Sequence, residues 1–157
     1  MKSKLIYVGK TGKSFLKEGE KEYFKRLNRY IPFEIIEIND VKNAKKRSEE
    51  EIKQIEGEQI LKKLKGNDFL ILLDEKGKEF TSINFSKYIQ KQFNAGHQNL
   101  TFVIGGPYGF SNEVYKRAND NIALSKLTFS HQMIRMFFLE QMYRAMTILK
   151  NEPYHHQ

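Results

Sequence analysis

The alternation of short apolar runs with longer amphipathic segments is the feature that most constrains the fold of this chain. Four runs rich in apolar residues favour strands: residues 5–8, 33–38, 69–73 and 100–104. Between them, apolar residues recur at the spacing of a helix. The run 69–73 is almost wholly apolar, as is typical of a strand covered on both faces. Strands that alternate with helices in this way indicate an α/β fold with a parallel sheet.

Three segments between these strands are predicted to be helices: residues 13–31, 41–66 and 82–95. Pro32 ends the first helix because proline lacks an N–H and disfavours the helical region for its predecessor. The second segment is highly charged but keeps a narrow apolar face, so we expect a solvated helix that is loose near Asn43. The polar residues 74–78 predict a turn between the third strand and the third helix.

Size and composition favour a single domain. The chain has 157 residues, 39% of them hydrophobic, and we expect residues 1–157 to form one domain, since two would each have little core. The absence of Cys excludes disulfides, thiolate metal sites and thiol nucleophiles. No segment is typical of a signal peptide or a membrane span, so we expect a cytoplasmic protein. The net charge of +8 favours a polyanionic partner, although solubility explains it almost as well.

A glycine-rich loop follows the run 100–104. Gly105 and Gly106 begin this loop, and Gly109 lies three residues further on. Ligands of parallel sheets bind beyond the carboxyl ends of strands, where glycines let the backbone approach closely. The spacing fits neither the dinucleotide-binding G-x-G-x-x-G motif nor a phosphate-binding P-loop. A ligand-binding loop and a simple turn are therefore equally compatible with the pattern.

A second candidate loop covers residues 123–130, between a predicted short strand and the last helix. Ser130 is placed to cap the helix that begins at His131. The residue types in this loop carry no distinctive chemistry. The loop is a candidate only because of its position, since we expect it at the same edge of the sheet as Gly105.

The last predicted helix, residues 131–150, is apolar on almost every side. Such a helix must be buried, and a chain of this size does not easily surround it, so we expect part of it to pack against a second copy of the protein. Glu140 and Arg144 are four residues apart and are predicted to pair on one face. The pair either neutralises two half-buried charges or takes part in chemistry, and both readings stay open.

Basic residues recur every four positions along the first predicted helix: Lys13, Lys17, Lys21, Lys25 and Arg29. This basic stripe is compatible with an ordinary solvated face or with contacts to nucleic-acid phosphates. The tail, residues 153–157, contains two adjacent His residues, which are too few for a designed metal site. Composition alone favours a disordered end there.

Seven short motifs follow one another along the chain. They are Val8-Gly9-Lys10, Phe102-Val103-Ile104-Gly105-Gly106, Ala123-Leu124-Ser125, Lys126-Leu127-Thr128-Phe129, His131-Gln132-Met133-Ile134-Arg135, Glu140-Gln141-Met142-Tyr143-Arg144-Ala145 and Pro153-Tyr154-His155. Together they resemble the SPOUT class of RNA methyltransferases, and within it the ribosomal RNA large subunit methyltransferase H family. Each motif is weak alone, but their order and the ending are specific. The family closes with one basic residue after Tyr-His, whereas His156 and Gln157 follow here.

The resemblance implies properties that periodicity does not reveal. It implies a mostly parallel sheet with a C-terminal trefoil knot, and a homodimer. It implies an enzyme that uses S-adenosylmethionine to methylate N3 of a pseudouridine in 23S ribosomal RNA on the assembled ribosome, with no metal and with neither DNA nor a membrane as partner. The implied cofactor contacts are Leu73, Gly105, Leu124, Ser125, Lys126, Leu127, Thr128 and Phe129.

The matched C-terminal residues suit the chemistry of that reaction. N3 of a uracil-type ring bears a proton and becomes a good nucleophile only when the proton leaves. We expect His155 to accept this proton, Arg144 to stabilise the developing anion, and Tyr154 to stack on or orient the base. Two alternatives stay open: a non-enzymatic module that binds RNA or the ribosome, and a methyltransferase that acts on another RNA such as a transfer RNA.

Overall fold

The computed structural model describes residues 2–156, so that Gln157 of the tail lies outside the described residues. In chain order the elements are β1 (Lys2–Val8), α1 (Ser14–Leu27), β2 (Phe33–Ile38), a 3-10 turn (Ala44–Lys46), α2 (Glu49–Lys62), β3 (Asp68–Glu79), α3 (Ser82–Asn94), β4 (Asn99–Ile104), α4 (Asn112–Arg117), β5 (Asp120–Ala123) and α5 (Met133–Leu149). None of the described helices is long and apolar enough to cross a membrane.

The five strands form one sheet in the order β2-β1-β4-β3-β5, and every neighbouring pair is parallel. Parallel neighbours cannot be joined by a tight hairpin, and the helices between the strands supply the crossover connections. The predicted α/β fold, with a parallel sheet flanked by helices, is therefore confirmed. The trefoil knot that the resemblance implies stays a prediction.

Local hydrogen bonds move two helix ends away from the places that periodicity predicts. α1 ends at Leu27, four residues early, because the side chain of Asn28 bonds to the backbone on both sides of this point. The single helix predicted over residues 41–66 is wrong in its first part. Asn43 adopts a left-handed conformation with φ of 57°, and α2 begins only after Ser48, whose hydroxyl accepts a backbone N–H of the first turn.

β3 is longer than predicted. The sequence predicts a strand over 69–73 and a turn over 74–78, but the strand continues through the predicted turn. Its register with β5 breaks after Leu73 and resumes at Lys78, so the residues between them bulge from the sheet. Gly77 allows the strand to rejoin, since a Cβ on it would lie 2.5 Å from the backbone of β5. The polar segment is thus an irregular part of the strand, and the prediction of a turn is wrong.

α5 lies in the core, as its apolar sequence predicts. Phe138, Leu139 and Met142 are fully buried among side chains from one face of the sheet, and the helix packs against α1 and α3. A second apolar cluster covers the other face beneath α2 and α4. The Ser130 hydroxyl accepts the N–H groups of Gln132 and Met133 and so supports the turn before α5, but the helix begins only at Met133 and Gln132, rather than Ser130, lies at its N-cap. Met133 is 37% exposed, so this chain leaves part of the helix uncovered.

The buried guanidinium of Arg135 ties α5 to the end of β1. This side chain is 1% exposed and donates to the carbonyl oxygens of Val8 (2.7 Å) and Gly9 (3.0 Å) and to the hydroxyl of Thr11 (3.0 Å). It also lies over the ring of Tyr7, 3.8 Å from the ring centroid. These contacts hold the first turn of α5 at the carboxyl edge of the sheet, where ligands of parallel sheets bind.

Replacing Arg135 with Met keeps most of the side-chain volume but leaves the carbonyl oxygens of Val8 and Gly9 without their donor. We expect Arg135→Met to lower the free energy of unfolding by about 3 kcal/mol. Urea denaturation followed by circular dichroism at a fixed protein concentration measures this change. Lys87→Met, which removes an exposed cation from α3, is the control and should cost less than about 0.5 kcal/mol. Equal losses in the two variants would contradict the clamping role.

Candidate active site

A cavity of about 570 Å³ lies beyond the carboxyl ends of three neighbouring strands, β4, β3 and β5. Leu73 in β3, Gly105 after β4 and Leu124 after β5 meet there because parallel strands end at the same edge of a sheet. Ile134, in the first turn of α5, contributes to the wall. A concave volume of this size is typical of sites for small molecules and cofactors.

The cavity brings together seven of the eight residues predicted to contact a cofactor: Leu73, Gly105, Leu124, Ser125, Leu127, Thr128 and Phe129. The loop after β5 holds its shape partly through Ser125, whose hydroxyl accepts the N–H of Leu127 at 3.0 Å. Lys126 is the exception. Its side chain is 87% exposed, and its ammonium lies 3.9 Å from the carboxylate of Glu79. The geometry therefore gives no support to a cofactor contact by the Lys126 side chain.

The glycine loop is both a tight turn and a wall of the cavity. Its turn is closed by the N–H of Gly109, which donates to the carbonyl of Gly106 at 3.1 Å, with φ of 85° at Gly109. Side chains also crowd the loop: a Cβ on Gly105 would lie 3.1 Å from the ring of Phe110, and one on Gly106 would lie 2.6 Å from a carboxylate oxygen of Glu56. The segment is therefore a turn that also lines the cavity, and its predicted role in ligand binding stays a prediction.

Several polar groups at the rim of the cavity are not predicted from the sequence. Asp74 accepts a hydrogen bond from the hydroxyl of Tyr115, which ties the bulge of β3 to α4. Burial, together with this hydrogen bond, raises the pKa of Tyr115. His131 also lines the rim, where burial lowers its pKa and the charge of Arg135 lowers it further. Residues 2–156 contain no group of three or more His, Cys, Asp or Glu side chains arranged to hold a metal ion.

A second polar cluster surrounds Arg144 towards the end of α5. One guanidinium nitrogen lies 2.5 Å from Oε1 of Glu140, which confirms the predicted ion pair. Tyr154 donates to the same oxygen at 2.8 Å, and its ring centroid lies 4.7 Å from the guanidinium carbon. The other guanidinium nitrogen lies 3.1 Å from Nδ1 of His155. The tail therefore folds back onto α5, and the prediction of a disordered end is wrong for the described residues.

The contact between Arg144 and His155 determines which imidazole nitrogen carries hydrogen. A guanidinium can only donate, so Nδ1 accepts and the hydrogen of the neutral ring is on Nε2. Nε2 is buried and has no hydrogen-bond partner among the described residues. Burial, together with the hydrogen bond to Glu140, raises the pKa of Tyr154, so its phenol remains a donor. The tail cluster, which we define as Glu140, Arg144, Tyr154 and His155, is thus preassembled, with one donor left unused.

The predicted cofactor contacts and the predicted catalytic residues do not meet within one chain. Ile134 lines the cavity, and Arg144 follows it ten residues later on the same helix. At a rise of 1.5 Å per residue, about 15 Å of helix separates the two positions. In the part of the chain that the structure describes, neither Arg144 nor Tyr154 nor His155 contributes to the cavity wall.

Comparison with known proteins identifies the family of this chain. A family model described as "Predicted SPOUT methyltransferase" matches residues 1–155. The chain belongs to the SPOUT methyltransferase family. It is similar to proteins named "Ribosomal RNA large subunit methyltransferase H" from Parabacteroides distasonis (58% identity) and Christiangramia forsetii (57% identity), with both chains covered completely. A protein of the same name from Cytophaga hutchinsonii is 58% identical over 99% of this chain and 100% of its own length. The predicted resemblance is confirmed.

This SPOUT methyltransferase carries exposed basic residues along α1, interspersed with Glu18 and Glu22. All five residues of the basic stripe are exposed on or next to α1. Arg26, on the neighbouring face of the helix, lies over the ring of Tyr143, 5.5 Å from its centroid. The ring of Tyr143 in turn contacts that of Tyr154, with 4.6 Å between centroids. Arg26, Tyr143 and Tyr154 therefore form a series of contacts that connects α1 with the tail. The contact of the basic stripe with nucleic-acid phosphates stays a prediction.

Glu140 holds the tail cluster together, because its Oε1 accepts hydrogen bonds from both Arg144 and Tyr154. In Glu140→Ala we expect the amide hydrogens of residues 150–156 to exchange at least about tenfold faster, the equivalent of about 1.4 kcal/mol of local stability. Hydrogen exchange followed by mass spectrometry measures this rate. Glu113→Ala, at an exposed position on α4, is the matched control. Unchanged exchange in the Glu140 variant would show that other contacts hold the tail.

Proposed function

We propose that this chain, as a single domain, uses S-adenosylmethionine to methylate N3 of a pseudouridine in 23S ribosomal RNA on the assembled ribosome, in the bacterial cytoplasm. The observation that carries the proposal is the cavity, where residues spread over positions 73–129 form the wall that the family resemblance implies. The names of the relatives, at 57% and 58% identity over their whole lengths, support a large-subunit ribosomal RNA as substrate.

The cavity fits S-adenosylmethionine in size and in chemistry. Its volume of about 570 Å³ is within the range of cofactor sites. Leu73, Leu124 and Leu127 provide apolar surface for an adenine ring, and the main chain of the two tight loops provides hydrogen-bonding groups. The cofactor supplies a methyl group on a sulfonium, which is electrophilic without further activation. The task of the protein is therefore to hold the methyl carbon and the acceptor nitrogen close together and in line.

The tail cluster supplies groups that act on the acceptor base. In the structure, Nδ1 of His155 is occupied by the guanidinium of Arg144. When Arg144 turns towards a carbonyl oxygen of the base, its charge stabilises the anion that develops there. The same movement frees Nδ1 of His155 to accept the proton from N3. Tyr154, held by Glu140, orients the base through its ring.

The separation along α5 favours a homodimer in which the tail of each chain closes the cavity of the other. About 15 Å of helix lies between the cavity and Arg144 of the same chain. Leu127 and Met133 are 72% and 37% exposed beside the cavity, and a second copy can cover this apolar surface. A two-fold symmetric dimer gives two equivalent sites of this kind.

The basic stripe fits the phosphate backbone of ribosomal RNA. The net charge of +8 gives long-range attraction, and the lysines of α1 supply phosphate contacts that do not distinguish sequence. With so few base-reading groups available, we infer that the shape of the ribosome surface selects the target base. The base must also be unstacked or already exposed for N3 to be reached.

The proposed activity is tested with ribosomes from a bacterial strain that lacks the methyltransferase. We expect added protein and S-adenosylmethionine to place one methyl group on a single pseudouridine of 23S ribosomal RNA, detected by nuclease digestion and mass spectrometry. Naked 23S ribosomal RNA should react much more slowly, because it lacks the ribosome surface. Methylation of a transfer RNA instead, or equal rates on naked RNA and ribosomes, would contradict the proposed acceptor.

Donor binding is checked in the same preparation by calorimetry. Leu127→Ser removes exposed apolar surface from the cavity wall and should weaken binding of S-adenosylmethionine about tenfold. Phe15→Ser, at a residue that is 61% exposed and lies outside the cavity wall, is the matched control and should bind normally. No heat of binding with the unsubstituted protein would favour a non-enzymatic RNA-binding module.

Mixing two inactive variants tests whether the tail acts on the cavity of its partner. Arg144→Ala damages the tail cluster, and Gly105→Val fills the cavity and crowds Phe110. If the tail acts in the partner's site, random exchange of subunits yields heterodimers with one intact site, and about a quarter of the unsubstituted activity should return. The methylation assay on ribosomes measures this recovery. No recovery, with heterodimers verified by native mass spectrometry, would show that each tail serves its own chain.

A further inference from the structure

Glu56 of α2 is a buried carboxyl group outside the cavity wall and the tail cluster. The residue is 6% exposed, and its Oε1 has no hydrogen-bond partner among the described residues. Buried carboxylates are normally paired or hydrogen-bonded, because an unpaired buried charge is costly. The position of this unpaired group in the fold therefore indicates a specific role.

The carboxyl group of Glu56 lies directly behind the glycine loop of the cavity. A Cβ on Gly106 would lie 2.6 Å from Oε2 and 2.7 Å from Oε1, so both oxygens contact the backbone of the loop. The next residue of α2, Gly57, is also closely packed, since a Cβ on it would lie 3.3 Å from the side chain of Val114 and closer still to that of Ser111. α2 thus supports the loop 105–110 at two places: at Gly106 near its start, and at Ser111 directly after its last residue.

The surroundings of Glu56 favour its neutral form. Burial, reinforced by the negative charge of Asp40 after β2, raises the pKa of Glu56 to about 7. The residues of the loop and of α4 that face this part of α2, Gly106, Ser111 and Val114, carry no charge. The hydroxyl of Ser111 is already engaged, since it caps α4. The carboxyl group therefore has no cation against which ionisation would be favourable.

We propose that Glu56 is a positioning residue that holds the loop 105–110 against α2 only while its carboxyl group is protonated, and thereby makes donor binding sensitive to pH. The pH-sensitive binding rests on the proposed donor site, whereas the effect on the loop does not. A neutral carboxyl packs against Gly106 without an unpaired charge, whereas a carboxylate at the same place favours separation of the loop from α2.

The direction of the effect follows from the pKa of Glu56, which is higher in the folded chain than in the unfolded one. The protonated carboxyl contributes its full stabilisation below the ordinary pKa of 4.5, and this contribution is lost as the pH rises through about 7. Loop docking and donor affinity should therefore both decrease from mildly acidic to mildly alkaline conditions. Gln at position 56 remains neutral and should abolish this decrease.

Hydrogen exchange of the ligand-free protein tests the loop directly. Peptides covering residues 105–110 are compared in the unsubstituted protein, Glu56→Gln and Glu58→Gln, the last being a matched control at an exposed position of the same helix. At about pH 8 we expect the unsubstituted protein and Glu58→Gln to exchange at least about threefold faster than Glu56→Gln, and at about pH 4, below the ordinary pKa of 4.5, we expect equal rates. Equal rates of the unsubstituted protein and Glu56→Gln at the higher pH would overturn the proposal.

Calorimetry with S-adenosylmethionine tests the consequence for the donor. Between about pH 5.5 and about pH 8, its affinity for the unsubstituted protein should fall at least about threefold more than its affinity for Glu56→Gln. Titration of His131 and of the donor itself affects all variants alike and cancels in this comparison. Parallel curves would overturn pH-sensitive binding through Glu56. Absence of binding in every variant would overturn the donor site instead, while loop exchange would still decide the role of Glu56.

Discussion

The geometry of the active site depends on one buried cation. The guanidinium of Arg135 donates to carbonyl oxygens at the end of β1 and so fixes where α5 begins relative to the sheet. α5 contributes Ile134 to the cavity wall and, about three turns later, carries Arg144 of the tail cluster. Burying a charge is costly, and here the cost is offset by the hydrogen bonds and by the ring of Tyr7. The anchored start of α5 thus fixes the positions of both the cavity wall and the tail cluster relative to the sheet.

The two halves of the proposed site, one for the methyl donor and one for the acceptor base, are built in different ways. The donor half consists of apolar side chains and main chain at the ends of three strands, where the sheet itself provides rigidity. The acceptor half consists of charged and aromatic side chains that hold one another at the end of a helix. In the proposed reaction the donor half needs only a fixed shape, whereas the acceptor half moves a proton and stabilises charge. Placing the two halves about 15 Å apart in one chain makes a second copy part of the proposed enzyme.

Local patterns predicted the strands well where an apolar run ends in a residue that stops it, as at Gly9 and Gly105. They failed for β3, because its bulge is polar and pairs again only after a break in register. The cavity wall was predictable through the family resemblance alone, since a residue such as Leu124 has no distinctive chemistry. The contact between Glu56 and Gly106 could not be predicted, because it joins elements that only the folded sheet brings together.

The bulge of β3 shows how the shape of the cavity is controlled from a distance. Asp74 in the bulge is hydrogen-bonded to Tyr115 of α4, whereas the loop 105–110 packs against α2. The floor of the cavity is formed by the ends of the hydrogen-bonded strands, but these two parts of its wall take their positions from the helices that they contact. Exchanges on the hidden faces of α2 and α4 can therefore widen or narrow the cleft while every side chain facing the ligand stays the same. We therefore expect relatives whose cavities are lined by identical residues to differ in their affinity for the same ligand.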